Sequence, residues 1–458
     1  MARVLALIDG EHYPPVVRAA LEVLGRDHEV VAAAFLGGTE KVGAAADDAS
    51  YGVPVVRGET PEAALKEALR RYEPGLVVDL SDEPVITAAM RFRLAGIALA
   101  ERAEYRGADF HFSPPRRLVA TRTPAIGIIG TGKRVGKTAI SAYVARHLKA
   151  AGRDIAVVAM GRGGPAEPEL IRGEEVELTT ADLLALARRG VHAASDNYED
   201  AIMSRVTTVG ARRCGGGLAG DTFFSNVVDA ALLADSLGKE LLIFEGSGAA
   251  IPPAETDANI LVIGAGRGLT YVRDYFGPYR LGLADLAIIA CAEEPVASMQ
   301  DVDDIRAEIA RVSPGLPVIA TTFRPAPVNP VCGSRVFFAT TAPSSVIPML
   351  ASYLESTYGC EVVGTSPNLS DRALLQGDLR AAEGTFDLLL TELKAAAIDV
   401  VAQAGESSGV ETVLCDNVPV PVDGADLPRA LDALCARAIE RGLERASEDV
   451  RAKGRRDS

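Results

Sequence analysis

The stretch "AIGIIGTGKRVGKTAISAYVARHL", residues 125–148, decides the fold. An apolar run, Ile126–Ile129, enters a glycine-rich turn. A helical pattern leaves it, with Ile140, Tyr143, Val144 and Leu148 on one face and Gly152 at its end. Strand, glycine loop and helix in that order aim backbone N–H groups and a helix N-terminus at an anion. The loop comprises Gly130, Thr131, Gly132, Lys133, Arg134, Val135, Gly136, Lys137 and Thr138. It ends in G-K-T, yet its first glycine stands one position early, because G-x-x-x-x-G-K-[ST] would put glycine at Thr131. With both flanks correct, the loop reads as a nucleotide site. Lys137 would reach the β- and γ-phosphates and the Thr138 hydroxyl would ligate Mg²⁺.

A second signal is "LLIFEGSG", residues 241–248, an apolar strand that ends in an acid followed by small residues. An acid there holds a metal or its water, and glycines let phosphate approach the backbone. The spacing G-T-x-x-x-V-G-K-T is similar to the P-loop of dethiobiotin synthetases, and "EGSG" to an acidic strand end of the same enzymes. That resemblance explains Thr131 and implies that Glu245 is the metal-side carboxylate.

Other strand ends carry cations. "AMGRGGP" places Arg162 between glycines after the strand that follows the P-loop helix, where its planar fork suits a second phosphate; a solvated loop would look the same. "LLLTELKAAAIDV" places Glu392 and Lys394 at another strand end, as a phosphate contact or a helix-surface ion pair. Lys133 and Arg134 could screen a transferred phosphoryl group. "RRCGGGLAGDTFFSN", residues 212–226, has the glycine content of a lid, and its Asp221 is a candidate metal partner or a plain surface acid. Asp9, Glu11, His12, Gly37, Gly38 and His111 sit at strand ends near the N-terminus without a G-x-G-x-x-G fingerprint, so structural roles are expected there.

Working outward, strands alternate with helices along the whole chain, which implies a parallel sheet covered on both faces. "HFSPPRRLVATRTP", residues 111–124, interrupts the pattern. The expected fold is α/β: a P-loop NTPase parallel sheet with helices on both faces, preceded by a smaller Rossmann-like α/β domain. The expected domains are residues 1–120, and residues 121–458 with a C-terminal α/β extension.

The formal net charge of −15 disfavours nucleic acid, whose phosphates select basic surfaces. No apolar run approaches the length of a membrane span, and "MARVLALIDG" reads as a first core strand rather than a signal peptide. Six scattered cysteines without a C-x-x-C pair argue for reduced thiols in a cytoplasm. An N-K-x-D guanine signature is missing and the five histidines are dispersed, which disfavours a metal-delivering GTPase.

The chain as a whole resembles the cyclic 2,3-diphosphoglycerate synthetase family. The stretches that carry the resemblance are "LALIDGEHYPPVV", "GTGKRVGKTA", "MGRGGP", "EGSG", "LLLTELKAAAIDVV" and "CDNVPV", in order from end to end. It implies an ATP-dependent, Mg²⁺-requiring ligase that closes 2,3-diphosphoglycerate into its cyclic pyrophosphate, in a cytoplasmic homodimer acting on a small anionic phosphorylated substrate. The residue readings and the resemblance together put the catalytic load on Lys137, Lys133, Arg134, Arg162, Glu245 and Lys394. Three other readings fit the loop: a kinase acting on 2-phosphoglycerate, a carboxylate-activating ligase of the dethiobiotin synthetase kind, and a nucleotide-gated binding protein with little turnover.

Overall fold

The computed structural model describes residues 1–41 and 48–454. Its strands fall into two sheets. The smaller one runs in the order Val55–Val56, Glu29–Phe35, Arg3–Ile8, Leu76–Asp79, Glu104–Arg106 and His111–Phe112. All neighbours are parallel except the last pair. Arg3–Ile8 is central and buried on both faces, so its sequence is a continuous apolar run rather than an alternating one.

The larger sheet has a parallel centre ordered Thr207–Cys214, Ile155–Gly161, Leu241–Glu245, Ala125–Gly130, Ala258–Gly264, Leu286–Ala290 and Val318–Pro327. It then departs from the all-parallel expectation. Val318–Pro327 pairs antiparallel with Glu411–Pro421, from Thr321 opposite Pro421 to Pro327 opposite Cys415. Beyond this seam the pairing is parallel again, through Leu388–Glu392, Arg335–Ala339 and Glu361–Ser366. The C-terminal strands therefore extend the P-loop sheet instead of forming a separate one. The outer edge near Thr207 also carries antiparallel partners, Glu169–Arg172 and Phe224–Ser225.

Residues 113–124 hold no helix or strand, only a bridge from Val119 to Ala254. The two sheets are fastened where helix Ala88–Ala100 meets helix Gly277–Leu283. Gly96 lets the backbones close, since a Cβ there would stand 3.4 Å from the Phe276 Cα and 3.3 Å from Pro278. Arg93 on the same helix bridges Glu62 at 2.6 Å and Asp274 at 2.5 Å. Among the described residues, no helix is long and apolar enough to cross a membrane.

Candidate active site

The P-loop occupies the carboxyl end of the central strand Ala125–Gly130, where open α/β sheets bind ligands. Its early glycine has a steric reason. The Lys137 side chain folds back over Gly130, and a Cβ there would lie 2.7 Å from the lysine Cδ. Lys137 Nζ donates to the Gly132 carbonyl at 2.9 Å. Thr131 is buried, and its N–H donates to the Val262 carbonyl at 3.1 Å. The second glycine is needed for two reasons at once. Gly136 has φ of +88°, and its Cα faces the Phe323 ring so closely that a Cβ would sit 2.4 Å from it. Helix Lys137–Ala150 starts immediately after and buries Ile140, Val144, Ala145 and Leu148 against the sheet.

A cavity of about 960 Å³ opens above the loop. Lys133, Arg134, Gly136, Lys137, Thr138, Arg162, Glu245 and Lys394 all line it. The other loop residues, Gly130, Thr131, Gly132 and Val135, are not part of that lining, and Val135 sits in the core below. Arg134 adopts φ of +60° and donates to the Ser370 hydroxyl at 3.0 Å, so the loop reaches the C-terminal part of the sheet directly. Lys133 stays exposed, while its carbonyl accepts from Arg267 at 3.2 Å.

Three acids that the sequence reading passed over belong here: Asp196 and Glu199 line the cavity, and Asp200 is buried beside Glu245. Helix Asp196–Ser204 begins "DNYED" and packs against the P-loop helix. Asn197 and Tyr198 face away and anchor on Glu169, at 3.1 and 3.0 Å. Asp196, Glu199 and Asp200, at i, i+3 and i+4, therefore share the inward face. That spacing was visible in the sequence, but without the fold nothing said which way the helix turned.

The acids and cations here reset one another. Burial pulls the Lys137 ammonium down to about 8, against the pull of Glu245 and Asp196. Burial, then the charge of Asp196, pushes Glu245 up. Asp200 lies against Glu245, and burial followed by that neighbour's charge holds it well above the usual carboxylate range. Both Asp200 oxygens and Glu245 Oε2 are buried without hydrogen-bond partners. The Thr138 hydroxyl stands within reach of Glu245. Lys394 contacts both Glu199 oxygens at 3.0 Å. Burial works against its charge, but Glu199 and Asp196 carry it above the ordinary lysine value.

Other expected partners lie elsewhere. Asp221 is not among the cavity-lining residues and pairs with Arg116 at 3.2 Å on the surface. Asp9 is fully buried and spends its oxygens on the backbone N–H groups of Glu11, His12 and Asp82 and on the His12 ring. His111 meets Glu104 at 3.0 Å on the surface. His192, treated as dispersed in the sequence, lines the cavity with its ring over Gly163.

A glycine loop at a central strand end, a buried lysine folded over it and an acidic strand end beside it define a P-loop nucleotide-binding enzyme. Family models sharpen this across the chain. The P-loop domain of cyclic 2,3-diphosphoglycerate synthetase matches residues 125–322, its N-terminal domain residues 3–113, and its C-terminal domain residues 327–418. The synthetase of Rubrobacter xylanophilus is 50% identical over 447 residues, covering 96% of this chain and 100% of that one. The synthetase of Methanothermus fervidus is 48% identical over 431 residues, covering 92% and 94%. The chain belongs to the cyclic 2,3-diphosphoglycerate synthetase family. Among solved structures, LpxK of Aquifex aeolicus aligns with a TM-score of 0.40 at 14% identity, over 69% of this chain and 90% of that one.

Proposed function

We propose that the chain is an ATP-dependent ligase that closes 2,3-diphosphoglycerate to its cyclic form, releasing ADP and phosphate. The observation that carries this reading is one cavity in which the P-loop lysine, Arg162, Glu245 and Lys394 meet, in a chain related end to end to named synthetases. An oxygen of one substrate phosphate attacks the ATP γ-phosphorus, and the bond to the ADP oxygen breaks. The new anhydride activates that substrate phosphorus. An oxygen of the neighbouring phosphate then attacks it, the ring closes and orthophosphate leaves. Both steps press anions together, so positioning and charge neutralisation do most of the work.

Lys137 moves from the Gly132 carbonyl to the β- and γ-phosphates, and a buried ammonium there is worth far more than one in water. Lys394 faces the transferred group and Arg162 the substrate beside it, each from another strand end, and Lys133 and Arg134 cover the solvent side. The orphaned oxygens of Glu245 and Asp200 beside Thr138 are an all-oxygen donor set that suits Mg²⁺. Mg²⁺ held there supplies neutralisation of the β- and γ-phosphate charge. We take the working units as residues 1–120 and 121–458, in a cytoplasmic homodimer.

The test is ³¹P NMR with Mg-ATP and 2,3-diphosphoglycerate, beside a Lys137→Ala control. A new pyrophosphate-type resonance, with orthophosphate released only by the intact protein, is the expected result. ADP without that resonance would overturn the substrate assignment.

A further inference from the structure

Two arginines approach one point from neighbouring strands. Arg162 follows strand Ile155–Gly161, and Arg213 lies near the end of Thr207–Cys214, whose Arg212 is in register with Gly161. Gly248, in the loop after Leu241–Glu245, stands between the two guanidinium groups. A Cβ on it would lie 2.4 Å from Arg162 Nη2 and 3.3 Å from Arg213 Nη2. A side chain at residue 248 would collide with Arg162, so the glycine is what lets the two guanidinium groups lie close together over this loop.

Neither cation has a carboxylate within ion-pair distance among the described residues, in a chain whose formal charge is −15. Among the described residues Arg162 has no hydrogen-bond partner, and it lines the cavity. Arg213 is 8% exposed and spends Nη1 on the Gly215 carbonyl at 3.0 Å and Nη2 on the Ser247 carbonyl at 2.7 Å. Its Nε is buried and unpartnered. Burial, then the charge of Arg162, lowers the Arg213 value below that of an ordinary arginine, against the weaker pull of Asp196. Two neighbouring cations, one of them buried, with no carboxylate in direct contact are costly, and the cost is relieved when an anion arrives.

The spacing identifies the anion. Strand Ile155–Gly161 is the second from the P-loop strand, with Leu241–Glu245 between them. At strand separations near 4.8 Å, its carboxyl end lies about 10 Å from the nucleotide loop, room for a second phosphorylated molecule beyond the γ-phosphate. Resting on the function proposed above, we infer that Arg162 and Arg213, converging across Gly248, hold the substrate phosphate that does not attack ATP. Held there, that group stays turned toward the activated phosphorus during the first transfer and is in place to close the ring. Arg213 is a substrate-binding residue in this reading, and Gly248 is the residue whose missing side chain lets Arg162 close on it.

The experiment is calorimetric titration of 2,3-diphosphoglycerate into the full chain with ADP present, for wild type, Arg162→Met and Arg213→Lys. Losing a charge-assisted fork should weaken binding by about 10- to 100-fold in each variant, with ADP affinity retained. Arg213→Lys could disturb the Ser247 and Gly215 carbonyls it supports. If it also loses ADP, Arg162→Met, which removes no internal bond, decides the matter. Wild-type binding with unchanged affinity in both variants overturns the inference and leaves the ligase reading standing. Weakened binding of a non-hydrolysable ATP analogue, with 2,3-diphosphoglycerate unaffected, assigns the pair to the γ-phosphate and also overturns it. A wild type that binds no 2,3-diphosphoglycerate overturns the ligase reading itself, and this inference with it.

Discussion

Lys394 and Glu199 meet at 3.0 Å across 195 positions of sequence, joining a strand end beyond the antiparallel seam to the acidic helix beside the P-loop. The pair closes the cavity from opposite walls. It also holds an ammonium among Glu199, Asp196 and Glu392, all of which keep it charged. Replacing Lys394 with Met should lower kcat by about 100-fold or more, because a preorganised cation is lost where negative charge develops. Nucleotide affinity should stay within about threefold, since this lysine stands apart from the loop that grips the β-phosphate. Steady-state kinetics with a parallel nucleotide titration separates the two. A normal kcat with reduced thermal stability would reduce the pair to a structural tie.

Asp200 tests the metal side. Among the described residues no donor reaches its two oxygens, and it lies against Glu245. Asp200→Asn removes one buried acid from that contact, so the nucleotide-free protein should gain about 1–2 kcal/mol of stability. The same change should abolish most of the additional stabilisation that Mg-ATP gives over ATP alone, which at saturating ligand is of the order of 2–3 kcal/mol. Thermal unfolding with and without Mg²⁺ reads both. An unchanged Mg²⁺ increment would remove Asp200 from the donor set.

Arg93 ties the smaller sheet to the larger one. It is 19% exposed at the side chain and bridges two acids, so Arg93→Met leaves Glu62 and Asp274 without their cation. A loss of about 2–4 kcal/mol is expected from breaking a largely buried pair by one partner. Urea unfolding should show a lower midpoint. An unchanged midpoint would mean that the helix contact at Gly96 carries the junction alone.

Cysteine reactivity offers a pH-dependent check on the cavity. Burial pushes the Cys291 thiol up to about 11, although the residue lines the site. Its thiolate fraction is therefore small at neutral pH, and alkylation should speed up about tenfold per pH unit without levelling off below pH 10. Cys214 and Cys332 are exposed and should label first at pH 8. Peptide mapping after timed iodoacetamide treatment distinguishes them. A plateau for Cys291 near pH 8 would contradict its burial.

Legibility in the sequence followed locality. The P-loop could be read because strand, loop and helix are contiguous and each glycine answers a local demand, down to the lysine folded over Gly130. Glu245, Arg162 and Lys394 could be singled out because each follows its own apolar strand. The residues passed over are those whose direction only the fold decides. Asp196, Glu199 and Asp200 point inward because Glu169 holds the opposite face of their helix. Arg213 belongs to the stretch that looked like a lid, yet two carbonyls hold it buried beside Arg162. The antiparallel seam was illegible for the same reason: Glu411–Pro421 reads as one more strand, and nothing local states its direction.

That seam bears on how the enzyme can be dissected. Val318–Pro327 is hydrogen-bonded on one side to the nucleotide-binding strands and on the other to Glu411–Pro421. A truncation after residue 327 would strip the ten-residue strand of its outer partner and present a bare edge to other chains. It would also delete the wall that bears Lys394 and Ser370. The nucleotide half is thus no portable cassette; evolution or an engineer seeking a new acceptor would have to reshape loops in place rather than exchange modules.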